Sequence, residues 1–117
     1  LDFVQVDYSL GNRNANDRLL PLAQDRGIAV LVNLPFGRGR LFNAVGDRPL
    51  PDWAADIDAT SWAQVFLKYV MSHPTGAIPI PGTTKPHHAA DNLNAARGRL
   101  PDATLRAEME AFIDPLL

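Results

Sequence analysis

Residues 28–33, IAVLVN, decide the fold, because almost every side chain in this run is apolar. Such a run is typical of a strand in a parallel sheet that is covered on both faces. Gly27 stands directly before it and suits the left-handed position that closes a helix. The sequence therefore predicts a buried strand that follows a helix.

The preceding residues extend this pattern to a strand, a helix and a strand. Residues 3–8, FVQVDY, alternate apolar and polar side chains, which predicts a strand. Residues 17–26 carry four apolar residues at helical spacing and predict a helix, with Pro21 near its first turn. Strands that alternate with helices are joined in parallel by right-handed crossovers.

The following residues add a long loop and a second helix. A loop rich in Gly, Arg and Pro is predicted from residue 34 to roughly residue 59. Ser61 opens the clearest helix, because Gln64 completes a capping-box pattern. The apolar stripe of this helix consists of Trp62, Val65, Phe66, Tyr69 and Val70.

The end of the chain predicts a short strand and two helices. Residues 77–80 form the strand, and Pro86 suits the first turn of the next helix. The inner face of that helix is predicted to consist of Ala89, Leu93 and Ala96, with Gly98 closing it. Asp102 is the expected cap of a last helix that carries Leu105, Met109 and Phe112.

Three βα units and a terminal helix predict the α/β class. Three parallel strands alone leave two unpaired edges and a half-covered core. A closed barrel of such units takes eight, in about 250 residues. The chain of 117 residues is therefore either a small open sheet or part of a (β/α)₈ barrel, in a single domain over residues 1–117.

Composition excludes several classes of function. The formal charge of −2 and the absence of a basic patch argue against nucleic acid as a partner. The chain has no cysteine, which excludes disulfides and thiolate catalysis. Its apolar runs are too short to cross a membrane, so we expect no membrane partner and a cytoplasmic location. Leu1 lies directly inside a strand-like run, which predicts that upstream residues are missing.

Residues 80–92, IPGTTKPHHAADN, predict an anion site. A helix that begins near Pro86 exposes unpaired N–H groups and the positive end of its dipole, which is where a phosphate binds. Lys85 adds a charge, Thr83 adds a hydroxyl, and Gly82 leaves room for a ligand. The alternative is an ordinary helix start with solvated side chains. His87 and His88 are adjacent and would diverge on a helix, so no metal site is predicted.

Four segments together resemble the C-terminal part of an aldo/keto reductase, over about residues 3–101. They are FVQVDYSL, LLPLAQDRGIAVLVNLPFGRGRL, SWAQVFLKYVMSHP and AIPIPGTTKPHHAADNL. The resemblance implies a partial TIM barrel that holds strands six to eight. It also implies an NADPH-dependent oxidoreductase that reduces a small carbonyl substrate to an alcohol.

The resemblance also implies roles for individual residues in binding NADP(H). The 2′-phosphate and its ribose would face Gly82, Thr83, Thr84 and Lys85. His88 stands where many members carry an arginine for that phosphate, and Asn92, with Asp91 beside it, stands where the family reads the adenine amino group. Gln5 would bind the nicotinamide carboxamide. The loop that covers the pyrophosphate would consist of Phe36, Gly37, Arg38, Gly39 and Arg40.

The same resemblance predicts no catalytic residue in this chain. The family's catalytic Tyr, Lys, Asp and His come from the first half of its barrel, and no segment here matches them. Tyr8 is a tempting substitute, but a tyrosine at a strand end is more often packed than catalytic. The chain alone is therefore predicted to be inactive. The alternative is a non-catalytic half-barrel that binds a nucleotide or associates with itself.

Overall fold

The computed structural model describes residues 3–80 and 86–117, and within these ranges three parallel strands form one sheet in the order β1-β2-β3. The strands are β1 (Phe3–Asp7), β2 (Ala29–Asn33) and β3 (Ile78–Pro79), and the helices are α1 (Leu19–Asp25), α2 (Arg40–Val45), α3 (Trp62–Met71), α4 (Pro86–Asn94) and α5 (Ala103–Ile113). The predicted α/β class with three parallel βα units and a C-terminal helix is confirmed. None of the described helices is both long enough and apolar enough to span a membrane.

The two faces of the sheet have different surroundings. Side chains alternate along a strand, and those on the helical face are buried: Val6, Tyr8, Val30 and Val32. The opposite face carries Phe3, Gln5, Asp7, Ala29, Leu31, Asn33 and Ile78, which share one side by register. Phe3 is 55% exposed and Ile78 is 52% exposed. The prediction that β2 is covered on both faces is therefore wrong, because the described helices pack on one face only.

Helix α3 is the central helix of the fold. Its predicted cap is confirmed, because Oγ of Ser61 accepts a hydrogen bond from the backbone N–H of Gln64 at 3.1 Å. The Gln64 side chain bonds to the backbone of Thr60 instead of Ser61, so the reciprocal half of the capping box is shifted by one residue. Every residue from Gln64 to Val70 is buried, which is wider than the predicted stripe. The physical reason is that α3 contacts β3 on one side and both α4 and α5 on others.

The predicted loop over residues 34–59 is wrong in part. It contains α2 and a 3₁₀ helix at Asp52–Ile57. Leu41 and Val45 are buried and lie four residues apart, and Ala54 and Ile57 are buried and lie three apart. Pairs of apolar residues three or four apart are hard to recognise among the surrounding Gly, Arg and Pro. Such a pair is nevertheless enough to pack a single helical turn against the core.

Helix α4 departs from its prediction in length and in burial, although the predicted inner residues Ala89, Leu93 and Ala96 all line a cavity of about 670 Å³ that α4 shares with α3 and β3. It ends at Asn94 and not at Gly98, and Leu93, predicted to face inward, is 74% exposed. The buried apolar residue is Ala95, which lies just after the helix. The main described neighbour of α4 is α3, so a narrow strip of α4 is enough for the contact. The predicted cap of α5 is confirmed, because Oδ1 of Asp102 accepts from the N–H of Leu105 at 2.8 Å.

Candidate functional site

A cavity of about 420 Å³ lies between the segment that contains α2, the start of α3 and one side of α4. Its wall consists of Phe36, Phe42, Ser61, Trp62, Ala63, His88, Asp91 and Asn92. Phe36, His88, Asp91 and Asn92 are predicted site residues that come from two distant stretches of the sequence. The fold brings these two stretches to one place.

The wall of this cavity is aromatic on one side. The ring centroids of Phe36 and Phe42 are 4.9 Å apart, and those of Phe42 and Phe66 are 5.3 Å apart. Trp62 stacks on Phe66 at 5.8 Å and on Phe112 of α5 at 5.6 Å. Aromatic rings that pack in this way form a stiff apolar surface. A surface of this kind suits a flat heteroaromatic ring.

The other side of the cavity is polar and belongs to α4. The carboxylate of Asp91 is turned toward α3, where Oδ2 accepts from Oγ of Ser61 at 2.7 Å. Asn92 is half-buried at the cavity wall, and His88 is exposed. The rings of His87 and His88 pack edge to face with centroids 4.2 Å apart, so they do not diverge as predicted. Within residues 3–80 and 86–117, no group of three or more potential metal ligands occurs.

A smaller cavity of about 170 Å³ lies at the carboxyl ends of β1 and β2. It is lined by Asp7, Ser9, Gly11, Asn12, Leu34, Gly37, Arg38, Arg40 and Leu41. The predicted loop residues Gly37, Arg38 and Arg40 therefore lie at this edge of the sheet. Parallel α/β folds place their ligands at this edge.

The backbone of this loop is held in an unusual conformation. Leu34 and Arg38 have φ values of 53° and 56°, although neither is a glycine. Gly37 and Gly39, on either side of Arg38, have φ values of 61° and 85°. Non-glycine residues in the left-handed region cost free energy and are concentrated at ligand clamps and active sites. The conformation directs the loop back over the ends of the strands.

A third cavity, of about 310 Å³, lies beside the other two and shares lining residues with each of them. It shares Phe36 and Phe42 with the aromatic cavity and shares Leu34 and Arg38 with the smaller one. Gly39 also lines it. The three cavities are thus neighbours with shared walls, and we call them together the rim groove. It runs from the aromatic wall to the two arginines.

The remaining predicted site residues lie elsewhere. Gln5 is exposed on the open face of the sheet, in register with Leu31 and two residues before Asp7, which lines the rim groove. Gly82, Thr83, Thr84 and Lys85 lie outside the described residues. Phe42, Ser61 and Trp62 line the aromatic cavity but were missed by sequence reasoning. Phe42 lay in a predicted loop, and Ser61 and Trp62 had already been explained by capping and packing.

Tyr8 does not face the rim groove. Its side chain is fully buried on the helical face of the sheet, and its hydroxyl oxygen accepts from Nη2 of Arg106 at 2.9 Å. It stacks on Tyr69 with ring centroids 5.9 Å apart. Burial and then a hydrogen bond to Glu110 raise the pKa of Tyr69 far above its ordinary value. The position of Tyr8 is that of a packed residue, as predicted.

Comparisons with known proteins place the chain in one family. The sequence model of the aldo/keto reductase family matches residues 1–111. Methylglyoxal reductase YeaE of Escherichia coli is 31% identical, and the match covers 95% of this chain and 39% of that protein. The NADH-specific methylglyoxal reductase of Escherichia coli is 29% identical, over 97% of this chain and 43% of that protein.

A solved structure supports the same assignment. The aldo-keto reductase from Klebsiella pneumoniae in complex with NADPH is 27% identical and superposes with a TM-score of 0.75, over 95% of this chain and 39% of that one. The chain spans well under half the length of these relatives, and its three βα units correspond to part of their TIM barrel. The match over residues 1–111 and the shared fold show that this chain belongs to the aldo/keto reductase family.

Proposed function

We propose that this chain supplies the coenzyme-binding part of a nicotinamide-dependent oxidoreductase. In the whole protein this enzyme reduces a small carbonyl compound to an alcohol with NADPH. The observation that carries the proposal is the rim groove, in which an aromatic cavity and a cavity with two arginines lie on either side of a third cavity that shares residues with both. A dinucleotide needs such a groove, because it has a flat base at one end and a diphosphate in its middle.

The aromatic end of the rim groove fits the adenosine part of the coenzyme. The rings of Phe36 and Phe42 offer a surface for stacking, and base stacking on aromatic side chains contributes about 1–3 kcal/mol. Asn92 lies at the same cavity and carries an amide that can pair with the polar edge of adenine. The family resemblance assigns His88 to the 2′-phosphate, together with residues 82–85, which lie outside the described residues.

The arginine end of the rim groove fits the diphosphate. Arg38 and Arg40 line the small cavity, and guanidinium groups bind phosphate oxygens in charge-assisted pairs. Gly37 and Gly39 have no side chains to obstruct the backbone amides. Gln5 lies on the open face of the sheet, and we assign it to the carboxamide. When bound, the coenzyme supplies the hydride, while the residues of this chain bind and orient it.

The relatives support a nicotinamide coenzyme of either kind. The Klebsiella pneumoniae neighbour is described in complex with NADPH, whereas one Escherichia coli relative is described as NADH-specific. We assign NADP(H) to this chain because the family resemblance places Lys85 and His88 at the 2′-phosphate. A histidine is a weaker partner for an anion than an arginine. We therefore expect a smaller preference for NADP(H) than an arginine would give.

The chain is also proposed to lack the catalytic residues, as one part of a single barrel domain in which it forms strands six to eight. Titration of the chain with NADP⁺ by calorimetry tests the coenzyme site. Phe42→Ala should weaken the affinity about tenfold by the loss of stacking. Phe3→Ala, on the open face of the sheet, is the matched control and should leave the affinity unchanged. Absence of NADP⁺ binding by the unaltered chain would refute the proposed site.

An activity assay tests the second half of the proposal. The purified chain should not oxidise NADPH in the presence of small aldehydes, because no proton donor of the family's pattern lies among its residues. Methylglyoxal is a suitable aldehyde, since two relatives are named as methylglyoxal reductases. Steady NADPH consumption by the chain alone would show that it carries its own catalytic group.

A second candidate function is a non-catalytic half-barrel that associates with another copy of itself. The open face of the sheet favours it, because Phe3, Ile78 and Ile80 are 55%, 52% and 44% exposed. Large exposed apolar side chains on one surface often mark an interface. Light scattering should then give a dimer that Ile78→Asp converts to a monomer. A monomer at high concentration would exclude this candidate.

A further inference from the structure

Helix α4 carries three proposed coenzyme residues but has little apolar packing of its own. Within residues 87–94, no side chain is fully buried, and Leu93 is 74% exposed. Short helices in proteins depend on the burial of an apolar face, because isolated helices of this length are marginal in water. The position of α4 must therefore be fixed mainly by other contacts.

Those contacts come from one polar edge of α3. Ser61, Gln64 and Lys68 are separated by three and four residues, so they lie along the same side of the helix. Gln64 is 2% exposed and Lys68 is fully buried. Buried polar side chains of this kind are costly unless they are fully bonded. The side-chain partners of Gln64 and Lys68 are all on α4 or on the turn that follows it, apart from Thr60, which directly precedes the cap of α3.

The first anchor is Asp91. Nε2 of Gln64 donates to Oδ1 of Asp91 at 3.0 Å and to its backbone oxygen at 3.2 Å. Oγ of Ser61 donates to Oδ2 at 2.7 Å. The Gln64 amide is fixed in turn, because its Oε1 accepts from the backbone N–H of Thr60 at 2.9 Å. Both carboxylate oxygens of Asp91 are therefore occupied by bonds to side chains at the start of α3.

The second anchor is Lys68. Its Nζ donates to the backbone oxygen of Arg97 and, at 3.0 Å, to that of Arg99. Burial lowers the pKa of Lys68 below its ordinary value, and the nearby Asp58 carboxylate opposes this effect. The buried ammonium of Lys68 bonds two backbone oxygens. An apolar side chain of equal size could fill the same space but would leave both oxygens without this donor. Lys68 thus fixes the turn after α4, while Gln64 fixes the helix itself at Asp91.

We propose that Gln64 and Lys68 are positioning residues for the coenzyme site. They act through Asp91 and through the turn at residues 97–99, and they hold α4 so that His88 and Asn92 line the aromatic cavity. In this assignment Asp91 orients the helix and does not bind adenine. The inference rests on the proposed function, because it takes the aromatic cavity to be the adenosine end of the coenzyme site.

Two measurements on the chain test this proposal. The variants are Lys68→Met and Gln64→Leu, with Gln64→Glu as a nearly isosteric change that removes the donor to Asp91. The controls are Gln24→Leu on the exposed side of α1 and Tyr69→Phe, which removes a buried bond from α3 to α5 and spares α4. Amide hydrogen exchange reports the order of α4, and calorimetric titration with 2′,5′-ADP reports the site.

The expected result is selective for α4. Each test variant should accelerate exchange of the amides at residues 87–99 at least tenfold and weaken 2′,5′-ADP binding about tenfold, whereas the controls should change neither. Unchanged exchange in α4 would overturn the proposal, and so would faster exchange with unchanged affinity. If the unaltered chain binds no 2′,5′-ADP, the proposed function fails, and so does the coenzyme role of Gln64 and Lys68. The exchange data still decide whether these two residues hold α4 in place.

Discussion

A β-carbon placed on Gly98 would lie 2.6 Å from Oδ2 of Asp58, which is closer than a side chain can approach a carboxylate oxygen. The same oxygen accepts from the backbone N–H of Arg99 at 2.9 Å and from its Nε at 3.2 Å. The side-chain bond to Arg99 is the main cause of the lowered pKa of Asp58. The turn after α4 is therefore fixed on one side by Asp58 and on the other by Lys68.

Gly98→Ala should destabilise the chain by about 2–3 kcal/mol, as expected for steric strain at a special backbone position. The added carbon would clash with Asp58, and φ at this position is +79°. The matched control is Gly39→Ala, where φ is +85° and ψ is −4° and no atom beyond the chain neighbours lies within 4 Å of the added carbon. Urea unfolding should show a cost of only about 1 kcal/mol there. Equal costs at the two sites would mean that the contact with Asp58 contributes nothing.

Asp102→Ala should lower the free energy of unfolding by about 1 kcal/mol. The Asp102 carboxylate accepts from the N–H of Leu105 at 2.8 Å, and alanine cannot replace this bond. Asp102→Asn keeps an acceptor oxygen at the cap and should be nearly neutral. Chemical denaturation of the three proteins compares these costs. A loss in the asparagine variant as large as in the alanine variant would point to charge as the cause.

Arg106→Leu should lower the free energy of unfolding by roughly 2–3 kcal/mol, because it removes charge-assisted bonds from a part-buried network. Its guanidinium lies 4.1 Å above the ring of Tyr69 and donates to the Tyr8 hydroxyl. Arg26→Leu, on the exposed end of α1, is the control and should be close to neutral. A thermal or urea melt measures both. Similar small changes in the two variants would show that the network is not needed for stability.

The chain should lose stability as the pH falls below about 6.5, the ordinary pKa of histidine. Burial, and secondarily Arg106, lowers the pKa of His73 in the folded chain. Since Nδ1 accepts from the N–H of Thr75 at 3.1 Å, the neutral ring carries its proton on Nε2, which faces Oδ1 of Asn16 at 3.0 Å. In the unfolded chain the ring takes up a proton at higher pH than in the folded chain, so acid favours unfolding.

This pH dependence can be assigned by substitution. Urea unfolding at pH 7.5 and pH 5.5 should show a smaller loss for His73→Asn than for the unaltered chain. His87→Asn changes an exposed histidine of α4 and should keep the full loss. If His73→Asn loses as much stability in acid as the unaltered chain, the effect comes from other groups.

Tryptophan fluorescence should report coenzyme binding from one position only. Trp62 lines the aromatic cavity, whereas Trp53 packs edge-on against Phe112, with ring centroids 6.2 Å apart. In a Trp53→Phe variant, 2′,5′-ADP should therefore change the emission of the remaining Trp62. In a Trp62→Phe variant the emission of Trp53 should stay constant. A response from Trp53 alone would place the ligand elsewhere.

The sequence alone predicts the regular elements whose signals are local. Residues 28–33 are apolar except for Asn33 and residues 3–8 alternate, and both form parallel strands at these positions within two residues. Ser61 and Asp102 were identified as caps because a cap bonds to a backbone group only three residues away. The resemblance to the aldo/keto reductase family also came from contiguous segments. The roles of the individual coenzyme residues remain predictions.

Only the tertiary structure decided which residues meet and which side of each element is covered. Phe42, Trp62 and Asn92 surround one cavity although they are distant in sequence, and no local pattern encodes their distance. Lys68 lies outside the apolar stripe predicted for its helix, yet it is fully buried because two backbone oxygens after α4 accept its protons. Burial depends on neighbours supplied by remote segments. Periodicity, in contrast, reports only how one segment divides its own polar and apolar side chains.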